Sequence, residues 1–149
     1  IKRLVMHGFK SFPRKTEIPF TSGINVILGP NGSGKSNISD ALCFVLGRLS
    51  IKSMRAAKAR NLIFLGTKAA SPAKEAIVEI VFDNTDKTFS IESEEISIKR
   101  IVRLNGLSIY KINNETKEKT IDYAFCRDRR DHGRVFAGLI YTHDRAYGY

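Results

Sequence analysis

The segment from Gly29 to Ser36 constrains the fold of this chain more than any other feature. It reads G-P-N-G-S-G-K-S and fits the pattern G-x-x-x-x-G-K-[ST] at every defined position. From average residue usage, a chance match in a chain of this length has a probability of roughly 1 in 200. Glycines in this pattern let backbone N–H groups converge on phosphate oxygens, and the following helix adds the positive end of its dipole. The segment therefore predicts a phosphate-binding loop between a strand and a helix.

The residues of this loop have separate expected roles. Lys35 is expected to reach the β and γ phosphates of a nucleotide, and the Ser36 hydroxyl is expected to bind Mg²⁺. The N-K-x-D motif typical of guanine-binding proteins is absent from the sequence, which favours adenine. We therefore predict ATP and Mg²⁺ as cofactors. The predicted nucleotide-binding positions of the loop are Gly29, Pro30, Asn31, Gly32, Ser33, Gly34, Lys35 and Ser36.

The elements on both sides of the loop indicate an α/β domain. Residues 1–9 and 16–20 are predicted to form an antiparallel pair of strands. Residues 24–28 are a compact apolar run of the kind found in a buried central strand, and this run leads directly into Gly29. After the loop, apolar residues at helical spacing predict a helix over residues 35–49.

The second half of the chain favours an antiparallel arrangement. Gly47 is expected to mark the fraying end of the predicted helix, and the residues after it, up to Gly66, are expected to be a loop with a short helix. Apolar and polar residues then alternate, which predicts a meander of antiparallel strands. Its strands are predicted at residues 76–82, 89–91, 96–104 and 108–113, with turns at Asp83-Asn84 and Asn105-Gly106. Small-molecule kinases with a phosphate-binding loop are mostly parallel α/β proteins, so this order of elements argues against a kinase.

Length and charge limit the classes of protein to which the chain can belong. It has 149 residues, of which 42% are hydrophobic and 27% charged, as expected of one globular domain or lobe. The net charge of +10 is concentrated in residues 1–60, which carry 11 Lys or Arg and 2 acids. This charge suits binding of nucleotide phosphates, nucleic acid or both. Because no apolar run is long enough to span a bilayer and no signal peptide is recognisable, we expect an intracellular protein without a membrane segment.

Several motifs together resemble the N-terminal head of SMC (structural maintenance of chromosomes) proteins, and the archaeal ones most closely. The resemblance covers about residues 1–113. It implies an α/β fold of the P-loop NTPase class, namely the N-terminal lobe of an ABC-type ATPase head with an antiparallel β meander. The motifs are G-F-K-S-F at residues 8–12, the loop extended to Asn37, D-A-L at 40–42, F-V-L-G at 44–47, M-R-A at 54–56 and L-I-F-x-G at 62–66.

In that family, two lobes at opposite ends of one long chain form the head, and a coiled coil and a hinge separate them. Two heads enclose two ATP molecules while DNA is held. The resemblance implies that Lys10 and Ser11 lie near the nucleotide and that Asn37 belongs to the same site. It also implies that Arg55 is the arginine-loop residue, which approaches ATP or its bound partner. The implied partners are a C-terminal head lobe of the same or a sister chain, a second SMC head, DNA and a kleisin-type subunit. The implied location is the cytoplasm, at the chromosome.

The chain also departs from the family pattern. It contains no glutamine, so the glutamine-loop residue of the family has no counterpart. The Leu-Ser-Gly-Gly signature and the strand ending in Asp-Glu, which carries the catalytic base, are absent and belong to the C-terminal lobe in the family. Apart from phosphate stabilisation by Lys35, the resemblance therefore assigns no catalytic residue to this chain. We expect the chain alone to be nearly inactive as an ATPase.

The chain is predicted to consist of two segments, and two other functions are compatible with its sequence. Residues 1–120 are predicted to form the lobe, and residues 121–149 a diverged tail. The alternatives are a DNA-repair ATPase of the RecF or RecN kind and a standalone nucleotide-binding module without catalytic activity. Candidate contacts to the DNA backbone are Arg48, Lys52, Arg55, Lys58 and Arg60.

Overall fold

A computed structural model describes residues 1–46, 59–89 and 91–117 of the chain. Arg55 and the tail predicted at residues 121–149 lie outside the described residues, as do the last residues of the helix predicted over 35–49. Their assignments therefore stay predictions.

Six strands form one antiparallel sheet with the strand order β2-β1-β3-β4-β5-β6. The first strand joins the predicted strand pair to the predicted meander, because it pairs with β2 along one edge and with β3 along the other. Leu4 of β1, for example, lies opposite both Ile18 and Ile80. The strands are β1 (Arg3–His7), β2 (Thr16–Pro19), β3 (Glu75–Asp83), β4 (Glu95–Arg103), β5 (Ser108–Ile112) and β6 (Glu115–Lys117).

One helix, α1 (Lys35–Val45), covers a face of this sheet and packs against β3 and β4. Its buried side follows the predicted helical spacing and includes Ile38, Ala41, Leu42 and Val45. Alternate residues of the strands complete the core, such as Ala76, Val78, Ile80 and Phe82 of β3. A 3-10 helix, Ala59–Leu62, confirms the expected short helix. Within the described ranges, no helix combines the length and apolar character that a membrane crossing requires.

Asparagine residues form the turns between the last strands. The predicted hairpin at Asn105-Gly106 is confirmed: Gly106 has a φ of +85° and its N–H donates to the Arg103 carbonyl. The short strand β6 was not predicted. It follows Asn113 and Asn114, whose φ values of +47° and +67° suit a tight hairpin turn. The Asn-Asn pair was the sequence signal for this turn.

The strand predicted at residues 89–91 is wrong. Phe89 and Ile91 belong to the loop between β3 and β4, and the side chain of Asn84 holds this loop. The Asn84 amide donates to the carbonyls of Phe89, Ile91 and Ser93, and its oxygen accepts from the Phe89 N–H. A fully buried asparagine therefore supplies the hydrogen bonds that a neighbouring strand would have supplied.

The buried strand predicted at residues 24–28 is also wrong for this structure. The segment forms no strand, and its apolar side chains are exposed, with Ile24 at 91% and Leu28 at 87%. A central strand needs hydrogen-bonding neighbours on both sides. The described sheet ends at β2 and β6 and provides none for this segment. The apolar run therefore lies in water beside the phosphate-binding loop.

Residues at the start of the chain form ion pairs with β4. The Lys2 Nζ lies 2.7 Å from Glu95 Oε1, and an Arg3 guanidinium nitrogen lies 3.1 Å from Oε2. These hydrogen bonds, from Lys2 first and then Arg3, lower the pKa of Glu95 below its ordinary value, and Glu95 raises the pKa of Lys2. Because the groups are exposed, such pairs contribute little to stability.

Candidate phosphate-binding site

The loop from Gly29 to Gly34 leads into the N-terminus of α1, as the motif predicted. Gly32 and Gly34 have φ values of +80° and +93°, a conformation that favours glycine. Gly34 is the N-cap of α1, no side chain caps the helix, and its first turn contains no acidic residue. The first N–H groups of a helix have no intrahelical partner. This helix end therefore offers backbone donors and a positive dipole end to an anion.

Lys35 and Ser36 occupy the first two positions of α1. The Lys35 Nζ folds over the loop and donates to the carbonyls of Gly29 and Pro30 at 2.7 and 2.9 Å. Charged phosphate oxygens accept stronger hydrogen bonds from an ammonium than neutral carbonyls do. Ser36 is exposed beside it. The arrangement fits a nucleotide phosphate with Mg²⁺, because an ammonium, a hydroxyl and backbone donors meet at one open end of the helix.

A turn formed by residues 8–12 lies next to this loop. Phe9 and Phe12 exchange backbone hydrogen bonds of 3.2 and 2.8 Å across it, and Lys10 adopts a left-handed φ of +46°. The Lys10 N–H donates to the Leu62 carbonyl at 2.8 Å. Gly8 also has a positive φ, and a side chain there would collide with the Glu75 carbonyl. The turn is therefore held in place by Leu62 of the 3-10 helix and by Glu75, the first residue of β3.

The same turn contacts α1 through two polar side chains. The Asn37 Nδ2 donates to Ser11 Oγ at 2.9 Å. A Cβ on Gly34 would lie 2.9 Å from the same Ser11 oxygen, so glycine permits this close approach. Lys10 forms an ion pair with Asp40, and the two side chains are only 13% and 12% exposed. The structure thus brings Ser11 and Asn37 to the loop. The Lys10 side chain instead lies against Asp40, farther along α1.

Two residues at this helix were not predicted as site residues. Asp40 is buried, although the sequence identified it only as part of a motif. Arg100 of β4 had no assigned role. Its guanidinium donates to the Phe44 carbonyl at 2.8 Å and lies over the rings of Phe44 and Tyr110, 4.4 and 4.6 Å from their centroids. A cation at a helix C-terminus is stabilising, so Arg100 anchors the end of α1 opposite the loop.

Comparison with known proteins agrees with this geometry. The model of the RecF/RecN/SMC N terminal domain matches residues 1–125. The Chromosome partition protein Smc of Pyrococcus furiosus is 47% identical over 125 residues, which are 82% of this chain and 11% of that protein. The Smc protein of Clostridium kluyveri is 47% identical over 76% of this chain and 10% of its own length. The chain therefore spans about a tenth of the length of these relatives.

Solved structures of SMC heads share the fold. One, from a study of ATP-driven dimerization and DNA-stimulated activation of SMC ATPases, is 43% identical with a TM-score of 0.80 over 85% of this chain and 77% of its own. The Pyrococcus furiosus Smc head with an extended coiled coil, bound to the C-terminal domain of ScpA, is 44% identical with a TM-score of 0.81 over 85% of this chain and 32% of its own. A RecF structure is 22% identical with a TM-score of 0.60, a likeness of fold alone.

Proposed function

Since this chain belongs to the RecF/RecN/SMC N-terminal domain family, we propose that it is the phosphate-binding lobe of an SMC-type ATPase head and binds ATP with Mg²⁺. The observation that carries the proposal is the loop of residues 29–36 at an uncapped helix N-terminus, with the Lys35 ammonium folded over it. Greater identity to Smc proteins than to RecF favours a role in chromosome organisation over DNA repair.

Each group of the site has a part in this proposal. Backbone N–H groups of the loop and of the first turn of α1 bind phosphate oxygens. Lys35 exchanges its two carbonyl partners for phosphate oxygens, and Ser36 provides a hydroxyl ligand. Mg²⁺, held in part by the Ser36 hydroxyl, would supply positive charge that offsets the charge of the phosphates. Lys10 and Ser11, from the turn of residues 8–12, and Asn37 of α1 form one side of the proposed site. Arg55 is the proposed arginine-loop residue, which approaches ATP or its bound partner.

The exposed run at residues 24–28 supports a second lobe as partner. A C-terminal head lobe of the same or a sister chain would cover these apolar side chains and provide the missing strand neighbours. The matched residues are only 11% and 10% of these relatives, which therefore have room for such a lobe. We propose that hydrolysis requires this lobe and a second head, since no catalytic base is assigned in this chain. DNA and a ScpA-like subunit are proposed partners of that assembly, which would act in the cytoplasm.

Equilibrium titration with Mg-ATP tests the proposed binding. The substitution Lys35→Ala removes the ammonium at the loop, and we expect it to weaken Mg-ATP binding at least about tenfold, because charge-assisted hydrogen bonds are lost. Lys68→Ala is the matched control, since Lys68 lies exposed in the loop before β3. Equal affinities of the unaltered chain and the Lys35→Ala variant would contradict a phosphate site at this loop.

A further inference from the structure

One side of α1 contacts the turn of residues 8–12 along its whole length. The contacting helix residues are three or four positions apart, so they lie on the same side of the helix. The turn crosses them in the opposite direction, and its first phenylalanine meets the last turn of the helix. The pairs are Gly34 with Ser11, Asn37 with Ser11, Asp40 with Lys10, and Phe44 with Phe9, whose rings lie 5.6 Å apart.

The Lys10–Asp40 pair is the charged contact among these. Both side chains are nearly nine-tenths buried, and a buried charge is tolerated only when it is paired. Lys10 also has a left-handed backbone conformation, which is unfavourable for a residue with a side chain. The ion pair therefore opposes the tendency of the turn to relax, and Asp40 specifies where Lys10 and its neighbour Ser11 lie.

Ser11 is the link from this ion pair to the phosphate-binding loop. Its hydroxyl accepts from Asn37 and lies against Gly34, the residue at which the loop becomes α1. A turn that moved away from α1 would remove the contacts of Ser11 with Asn37 and Gly34. It would also release Gly34 to other backbone conformations.

We propose that Asp40 is a positioning residue of the nucleotide site: by holding the Lys10 ammonium it fixes the turn of residues 8–12 and thereby keeps the Ser11 hydroxyl against the phosphate-binding loop. This inference rests on the proposed binding of Mg-ATP. It assigns Asp40 no contact with the nucleotide.

Titration of the 149-residue chain and its variants with Mg-ATP tests the inference. We expect Asp40→Asn to weaken the affinity about tenfold and Lys10→Met to weaken it to a similar extent. The double variant should bind Mg-ATP no more weakly than whichever single variant binds it less tightly, because the two substitutions break the same ion pair. Asp40→Glu, which keeps the charge, should recover part of the affinity.

A matched control separates positioning from general stability. Glu79 of β3 pairs with Lys99 of β4 at 3.4 Å, and these side chains are 21% and 22% exposed. Glu79→Gln thus removes a comparable ion pair that lies away from α1. We expect urea denaturation to show lower stability for both Glu79→Gln and Asp40→Asn, whereas only Asp40→Asn weakens nucleotide binding.

Three results would overturn the inference. The first is an unchanged affinity of Asp40→Asn and Lys10→Met while Lys35→Ala loses binding, which would leave the proposed function intact. The second is tighter binding by Asp40→Asn, since Asp40 would then compete with phosphate for Lys10. The third is no binding by the unaltered chain, which would overturn the proposed function as well. If Asp40→Asn does not fold, Lys10→Met decides between the same outcomes.

Discussion

Asn84 shows how one side chain determines the path of a long loop. Its side chain is fully buried, and its amide nitrogen lies 3.2, 2.9 and 2.8 Å from three backbone carbonyls between β3 and β4. Its oxygen accepts the Phe89 N–H at 2.8 Å. The side chain therefore needs both a donor and an acceptor, and only an amide of this length supplies them.

We predict that Asn84→Asp lowers the free energy of unfolding by about 3 kcal/mol at pH 7, because a carboxylate would face three carbonyls. Burial would raise the pKa of the new carboxyl above its ordinary value. The loss of stability should therefore be small below pH ~4, the pKa of the carboxyl in the unfolded chain. It should grow as the pH rises from there towards the raised pKa of the folded state. Urea denaturation at pH 3.5 and at pH 7 measures the loss of stability at each pH.

Asn113→Asp is the control for this prediction. The Asn113 side-chain oxygen accepts the Ser97 N–H at 2.9 Å and the residue is exposed, so a carboxylate can replace it. We expect a change below about 0.5 kcal/mol. Equal losses in the two variants would show that the carbonyls around Asn84 do not determine the effect.

Residues whose role depends on near neighbours in sequence could be predicted. Lys35 and Ser36 follow from a motif of eight positions, and the structure puts them at the start of α1. Asp40 could not be found this way, because its partner Lys10 is 30 residues earlier and nothing local distinguishes a buried acid from an exposed one. Arg100 and the carbonyl of Phe44 are 56 residues apart.

At the scale of helices and strands too, features that depend on local sequence could be predicted, whereas long-range pairing could not. Periodicity within α1 and the Asn-Gly turn after β4 are local, and both predictions are confirmed. Pairing of β1 with β3 joins residues 70 to 78 positions apart, from His7–Ile77 to Arg3–Val81, and was not predicted. The apolar run at residues 24–28 indicated burial, but burial needs neighbouring strands that the described sheet does not provide.

We predict that the combined substitution of Ile24, Val26 and Leu28 by serine changes the free energy of unfolding of this chain by less than about 1 kcal/mol. These side chains are 72% to 91% exposed, so folding removes little of their surface from water. Ile80→Ser in β3, where the side chain is fully buried, should cost about 3 kcal/mol or more. A comparable loss in both variants would mean that the run is buried after all.

At the scale of the whole molecule, the part of the chain that the structure describes leaves one side open. The sheet and α1 enclose a core, whereas the apolar run and the phosphate-binding loop lie exposed next to each other. The residues that it shares with its relatives are only 11% and 10% of their length. This openness is consistent with the proposal that the chain binds nucleotide by itself and that hydrolysis requires further parts to complete the site.

Hydrogen–deuterium exchange of the 149-residue chain, with and without Mg-ATP, tests this account most directly because it locates the bound nucleotide. We predict slower amide exchange in peptides covering residues 29–38 and 9–12, with no change at residues 103–108 of the distant β4–β5 hairpin. The Lys35→Ala variant should lose the protection. Unchanged exchange at residues 29–38, or protection confined to other segments, would contradict the assignment of this loop as the ATP site.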